Sequence, residues 1–95
     1  MMLRIQMETA ASNEAIQQGT LEKTVEDAMA ELRPEAAYFT VGDGCRTAYV
    51  FFDMDDASLM PKISEPFFMR LHAKIDYTPV MDREDLRKGL AALGR

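Results

Sequence analysis

One cysteine, one histidine and no tryptophan occur in the 95 residues of this chain. A single thiol, Cys45, excludes an intrachain disulfide, and its place beside the Gly42-Asp43-Gly44 turn suits an incidental side chain better than a nucleophile. One histidine and one cysteine do not complete a zinc site within one chain without several carboxylates, and no ligand spacing is present, so no metal is expected. No run approaches the roughly 18 consecutive apolar residues that a membrane span needs. The amino end alternates like a strand and lacks a signal-peptide apolar core, so the expected location is cytoplasmic, with no membrane partner. Basic residues are in the minority: 11 Lys and Arg against 16 Asp and Glu give a net charge of -5. Nucleic-acid binders need a basic patch to release counterions, so no nucleic-acid partner is expected.

What is present fits one soluble globular domain over residues 1–95. The composition, 47% hydrophobic and 28% charged, is ordinary for such a domain, and the chain is long enough for one two-layer core. A late run sets Leu71, Ala73, Ile75 and Tyr77 against Arg70, His72, Lys74, Asp76 and Thr78. Strand side chains change face at every residue, so this run predicts a strand over about 69–80 with one apolar and one charged face. The first strand, Leu3 to about Thr9, opposes Leu3, Ile5 and Met7 to Arg4, Gln6 and Glu8 in the same way.

Between these strands, a helix is predicted from Ser12 or Asn13 to Leu32, with Leu21, Val25, Ala28, Met29 and Leu32 as its apolar stripe and Gly19 as a weak point. Pro34 ends it. Strands over 36–41 and from Arg46 to Asp53 or Met54, joined by the glycine-rich turn, form an antiparallel hairpin. Asp55, Asp56 and Ser58 cap a short helix holding Leu59, Met60, Ile63 and Phe67, with Pro66 near its end. Asp82 caps a terminal helix whose Leu86, Leu90 and Leu93 are expected to pack inward. Two strand-helix-strand units give an α+β, ferredoxin-like βαββαβ fold with a C-terminal helix and a four-stranded antiparallel sheet.

If helices cover Leu3, Ile5, Met7, Phe39, Val41, Ala48, Val50, Phe52, Leu71, Ala73 and Ile75, alternation fixes the open face. It would carry Arg4, Gln6, Glu8, Tyr38, Thr40, Thr47, Tyr49, Phe51, Asp53, Arg70, His72, Lys74 and Asp76. Such a mixture of aromatics and charges suits contact with a partner or ligand. On that face His72 with Asp53 or Asp76 is the acid-base candidate, and a salt-bridged interface histidine fits the same pattern. Arg4 and Arg70 offer paired donors to a carboxylate, or intersubunit ion pairs with Glu8 or Asp76. Tyr38 and Tyr49 offer hydrogen bonds to a carbonyl or enolate, or interface packing. Gln6 and Phe51 complete the ligand-binding set.

In element order and length the whole chain resembles a subunit of the dimeric alpha/beta-barrel superfamily. The segments Tyr49-Val50-Phe51-Phe52-Asp53-Met54-Asp55-Asp56 and Ile75-Asp76-Tyr77-Thr78-Pro79-Val80, followed by Asp82, are similar to those of small uncharacterised bacterial members. The resemblance implies a homodimer through the open sheet faces and a small organic ligand between them. Members include muconolactone-isomerase-like enzymes, cofactor-independent monooxygenases, haem-degrading enzymes and stress-responsive proteins, so no single reaction follows. The expectation drawn from it is a binder of a small cyclic or aromatic compound, working as a cofactor-independent isomerase or monooxygenase if it is an enzyme. His72 or Asp53 would then be the base, with Tyr49 or Arg4 holding the oxyanion. The alternative is a non-catalytic structural or regulatory dimer. An RNA-recognition module has the same element order, but Thr47 stands where its first stacking aromatic should be, and the first strand has no aromatic at all.

Overall fold

The computed structural model describes residues 1–94. In chain order it forms β1 (Met2–Gln6), α1 (Thr9–Gln18), α2 (Thr20–Leu32), β2 (Ala36–Gly42), β3 (Cys45–Phe51), α3 (Met60–Leu71), β4 (Lys74–Thr78) and α4 (Arg83–Ala91), with a 3-10 turn at Ala57–Leu59 before α3. The sheet order is β2-β3-β1-β4 with every pair antiparallel, which is the ferredoxin-like arrangement. Leu3, Ile5, Ala48 and Val50 on the two central strands meet Ala15, Leu32, Ile63, Phe67 and Leu71 from the helices in one core. Among the described residues no helix is long and apolar enough to cross a membrane.

The predicted single helix is two. Gly19 takes a left-handed conformation, φ 72°, and its N–H closes α1 onto the carbonyls of Ala15 and Ile16. A residue with a Cβ pays for that conformation, so the glycine sets the break. α1 also starts earlier than expected, at Thr9, which ends the first strand at Gln6 rather than Thr9.

α3 runs through Pro66 to Leu71 instead of stopping near the proline as the sequence predicts. Proline removes one hydrogen bond there, but Ile63, Phe67 and Leu71, spaced four apart, are all buried on one face. Their burial outweighs the lost bond. β4 therefore spans only Lys74–Thr78, and Arg70 and His72 are not strand residues.

Two apolar expectations also change. Phe39 and Val41 were expected under helices, yet they are 57% and 74% exposed, because the helical layer stops short of edge strand β2. Leu86, Leu90 and Leu93 do not pack inward: α4 has no buried residue, and these leucines are 47%, 53% and 68% exposed. The helix is nevertheless well capped, with Asp82 accepting from the Asp85 N–H and Asp85 answering to the Asp82 N–H. Its outward course makes the molecule long, 55 × 27 × 17 Å, with a radius of gyration of 15.5 Å. A compact chain of this size would measure about 12 Å.

Candidate functional site

Cross-strand register assembles the face opposite the helices in three rows. Tyr38, Tyr49, Arg4 and Asp76 lie side by side across β2, β3, β1 and β4. One row further toward the hairpin come Thr40, Thr47, Gln6 and Lys74, and on the other side Ala36, Phe51, Met2 and Thr78. The face thus brings together five of the sequence-derived site residues: Arg4, Gln6, Tyr38, Tyr49 and Phe51. Tyr38 meets Phe51 edge to face, with centroids 6.5 Å apart and planes at 74°. Among the described residues no helix covers this aromatic end, and Tyr38 is 64% exposed in the single subunit.

The other end is polar, and the hairpin turn shapes it. Asp43 and Gly44 both have positive φ, 52° and 76°, as a two-residue type I′ turn requires. The turn closes down on Thr47: a Cβ on Gly42 would lie 3.1 Å from the Thr47 Oγ1, so glycine permits the approach. Thr47 is buried, and its hydroxyl donates to the Cys45 carbonyl at 3.0 Å. Asp43 accepts a hydrogen bond from the Gln6 Nε2 at 3.1 Å and stands 3.7 Å from the Arg4 Nη2. Sequence reading had given Asp43 only a turn role. Its signal was the turn type, which curls an acidic tip over the strand face.

Arg4 is the centre of this arrangement. Its Nε is buried with no hydrogen-bond partner among the described residues. Its one ion pair is with a carboxylate whose side chain is 84% exposed, and such a pair contributes little in water. The Arg4 side chain as a whole is 33% exposed, so its terminal nitrogens remain within reach of a planar anion on the face. Tyr49, directly opposite on β3, adds a phenol beside it.

The remaining site residues lie elsewhere. Arg70 belongs to the last turn of α3 and donates from Nη1 to the Thr24 Oγ1 of α2 at 3.3 Å, on the helical side. His72 is the left-handed residue that ends α3, φ 47°, with its exposed ring 3.9 Å from Glu8. Asp53 is exposed beyond the far end of β3. His72 lies past the end where Lys74 pairs with Gln6, and Asp53 past the end where Phe51 pairs with Met2. The four strand steps between those rows alone are about 13 Å. The structure therefore does not bring His72 and Asp53 together: His72 borders a cavity at the polar end with Gln6, Asp43 and Lys74, and Asp53 lies past the opposite end. Of the acidic residues before α3, Asp56 caps the 3-10 turn and not α3, whose N-cap is Leu59 with no side-chain cap: Asp56 accepts from the Ser58 N–H at 2.8 Å, which holds its carboxyl below the usual range.

Tyr77 alternates to the helical side of β4, where its hydroxyl lies 2.6 Å from the Ser64 Oγ. Burial raises its pKa above that of a free phenol, and the Ser64 bond opposes this in part. A folded-state pKa raised above 10 means that the unfolded chain loses the proton first. The contribution to stability is complete below about pH 10 and falls as pH rises through the folded value. Tyr77→Phe is expected to cost about 1 kcal/mol near neutrality. It should also flatten the alkaline decline in a series of urea unfolding curves; an unchanged alkaline limb would show that another group sets it.

Residues 1–94 match the model of a family described as a domain of unknown function (DUF3303), and the chain belongs to that family. No curated protein and no solved structure matches it.

Proposed function

We propose that this member of the DUF3303 family works as a homodimer of the dimeric alpha/beta-barrel kind, its open sheet faces turned toward each other around a small organic anion. The observation that carries the reading is Arg4, a cation with a buried, unpartnered Nε on a sheet face that no helix covers among the described residues. Tyr38, Tyr49 and Phe51 flank it with aromatic surface, so the chemistry that fits is a cyclic or aromatic compound bearing a carboxylate or enolate oxygen. If the ligand is turned over, Arg4 and Tyr49 are the donors placed for a developing oxyanion. Asp76, the cross-strand neighbour of Arg4 on β4, then takes over as the carboxylate on that face in place of the His72 and Asp53 pair.

Two measurements test this. Sedimentation equilibrium at micromolar concentration should give twice the chain mass. Native mass spectrometry of the purified protein, followed by titration with small aromatic carboxylates, should then reveal a bound anion. Arg4→Ala is expected to weaken such binding by about 10- to 100-fold, the worth of a charge-assisted hydrogen bond, with little change in the unliganded unfolding midpoint. A monomeric wild type, or equal affinity in wild type and Arg4→Ala, would overturn the proposal. A dimer that binds none of the carboxylates would instead be the non-catalytic module.

A further inference from the structure

We infer that α4 of one copy docks in an apolar groove on the helical side of a second copy, so that the dimer is closed by exchanged C-terminal arms. The groove, about 760 Å³, lies where the helical layer stops short of β2, and Ile16, Leu21, Val25 and Phe39 are among its apolar walls. Glu22 and Glu26, one turn apart on α2, also line it. α4 offers the counterpart. Leu86 and Leu90, spaced four apart on α4, and Leu93 in the turn that follows it are all exposed and form its apolar surface. Arg83 and Arg87, again one turn apart, flank that surface on a single side. Two glutamates at one helical spacing thus face two arginines at the same spacing, beside apolar surface that each partner leaves in water. Arg87 is held by Glu84 within its own helix, an exposed pair that a closer carboxylate can replace.

The arm does not fill its own groove. β4 and β2 are opposite edges of the sheet, about 14 Å apart at three strand spacings, and the groove opens on the helical side beyond β2. α4 leaves β4 through residues 79–82 and buries none of its residues against its own subunit. The match of the two arginines to the two glutamates of the groove makes a second copy the occupant. The inference rests on the dimer proposed above and adds an element to it: a two-fold axis along the strands, between stacked sheets, sets β4 of one protomer against β2 of its partner.

Two chains in a Cys45→Ser background provide the test, one with Leu90→Cys and the other with Phe39→Cys. Each chain then has one thiol, so an intrachain disulfide is impossible. Mild oxidation of the mixture should yield a covalent species of twice the chain mass, well above the level in either chain alone. In parallel, Glu22→Arg with Glu26→Arg should raise the dimer dissociation constant by at least tenfold, and adding Arg83→Glu with Arg87→Glu should restore it. All four positions are exposed, so folding of the subunit is not at stake. A wild-type dimer that gives no mixed disulfide and ignores the charge reversal would overturn the arm exchange and leave the sheet-face dimer standing. A monomeric wild type would remove both.

Discussion

Replacing Phe67 with alanine is expected to cost about 3–5 kcal/mol, measured as the shift in urea unfolding followed by circular dichroism. Phe67 is 1% exposed at the middle of α3, between Ile63 and Leu71 on the buried stripe. Truncation removes most of an aromatic side chain and leaves a cavity that a close-packed core fills only in part. A domain of this length has about 5–15 kcal/mol in total, so the variant should be marginal at room temperature. Phe68 is the control. It is 41% exposed, and Phe68→Ala should cost under about 1 kcal/mol. Equal losses at the two positions would mean that the helix has a different phase after Pro66.

That contrast also marks where the sequence could be read and where it could not. The alternation of β1 and the hairpin of β2 and β3 was legible, since local periodicity and a two-residue glycine turn fix both pairing and face. Residues 70–72 were not, because Leu71 satisfies two patterns at once: it alternates with its neighbours as a strand residue would, and it completes a spacing of four with Ile63 and Phe67. Proline suggested a stop, and the tertiary contact of Phe67 and Leu71 overrode it. The shift moved Arg70 to the helical side and took His72 out of the strand to the polar end, away from Asp53, while Arg4, Gln6, Tyr38, Tyr49 and Phe51 stayed because the alternation of their strands was legible. The fate of Phe39, Val41 and the α4 leucines was illegible for another reason. Periodicity says that a face is apolar, but whether the chain itself covers that face depends on how far the helical layer extends.

Tyr38→Glu is expected to turn the proposed dimer into a monomer, raising its dissociation constant by at least about 100-fold, while the subunit's unfolding midpoint hardly moves. The two readouts separate because Tyr38 is 64% exposed in one subunit, where a glutamate would be solvated. Between stacked sheets the same carboxylate would be stripped of water beside Tyr49, with Arg4 two strand spacings away, about 10 Å, too far to pair with it directly. Two-fold symmetry places the substitution in the interface twice, so the penalty of burying an unpaired charge is doubled. Tyr38→Phe keeps the ring that meets Phe51 and should leave the dimer nearly intact. Phe39 in the arm groove lies on the opposite side of β2 from Tyr38, and the groove meets the open face at Thr40 and Thr47, one row away from Tyr38. The sheet-face and arm effects should add, and the combination of Tyr38→Glu with Glu22→Arg and Glu26→Arg should dissociate at the product of the separate factors. A Tyr38→Glu chain that still sediments as a tight dimer, but falls apart on charge reversal at Glu22 and Glu26, would put the association in the arms alone and leave the Arg4 face open to water.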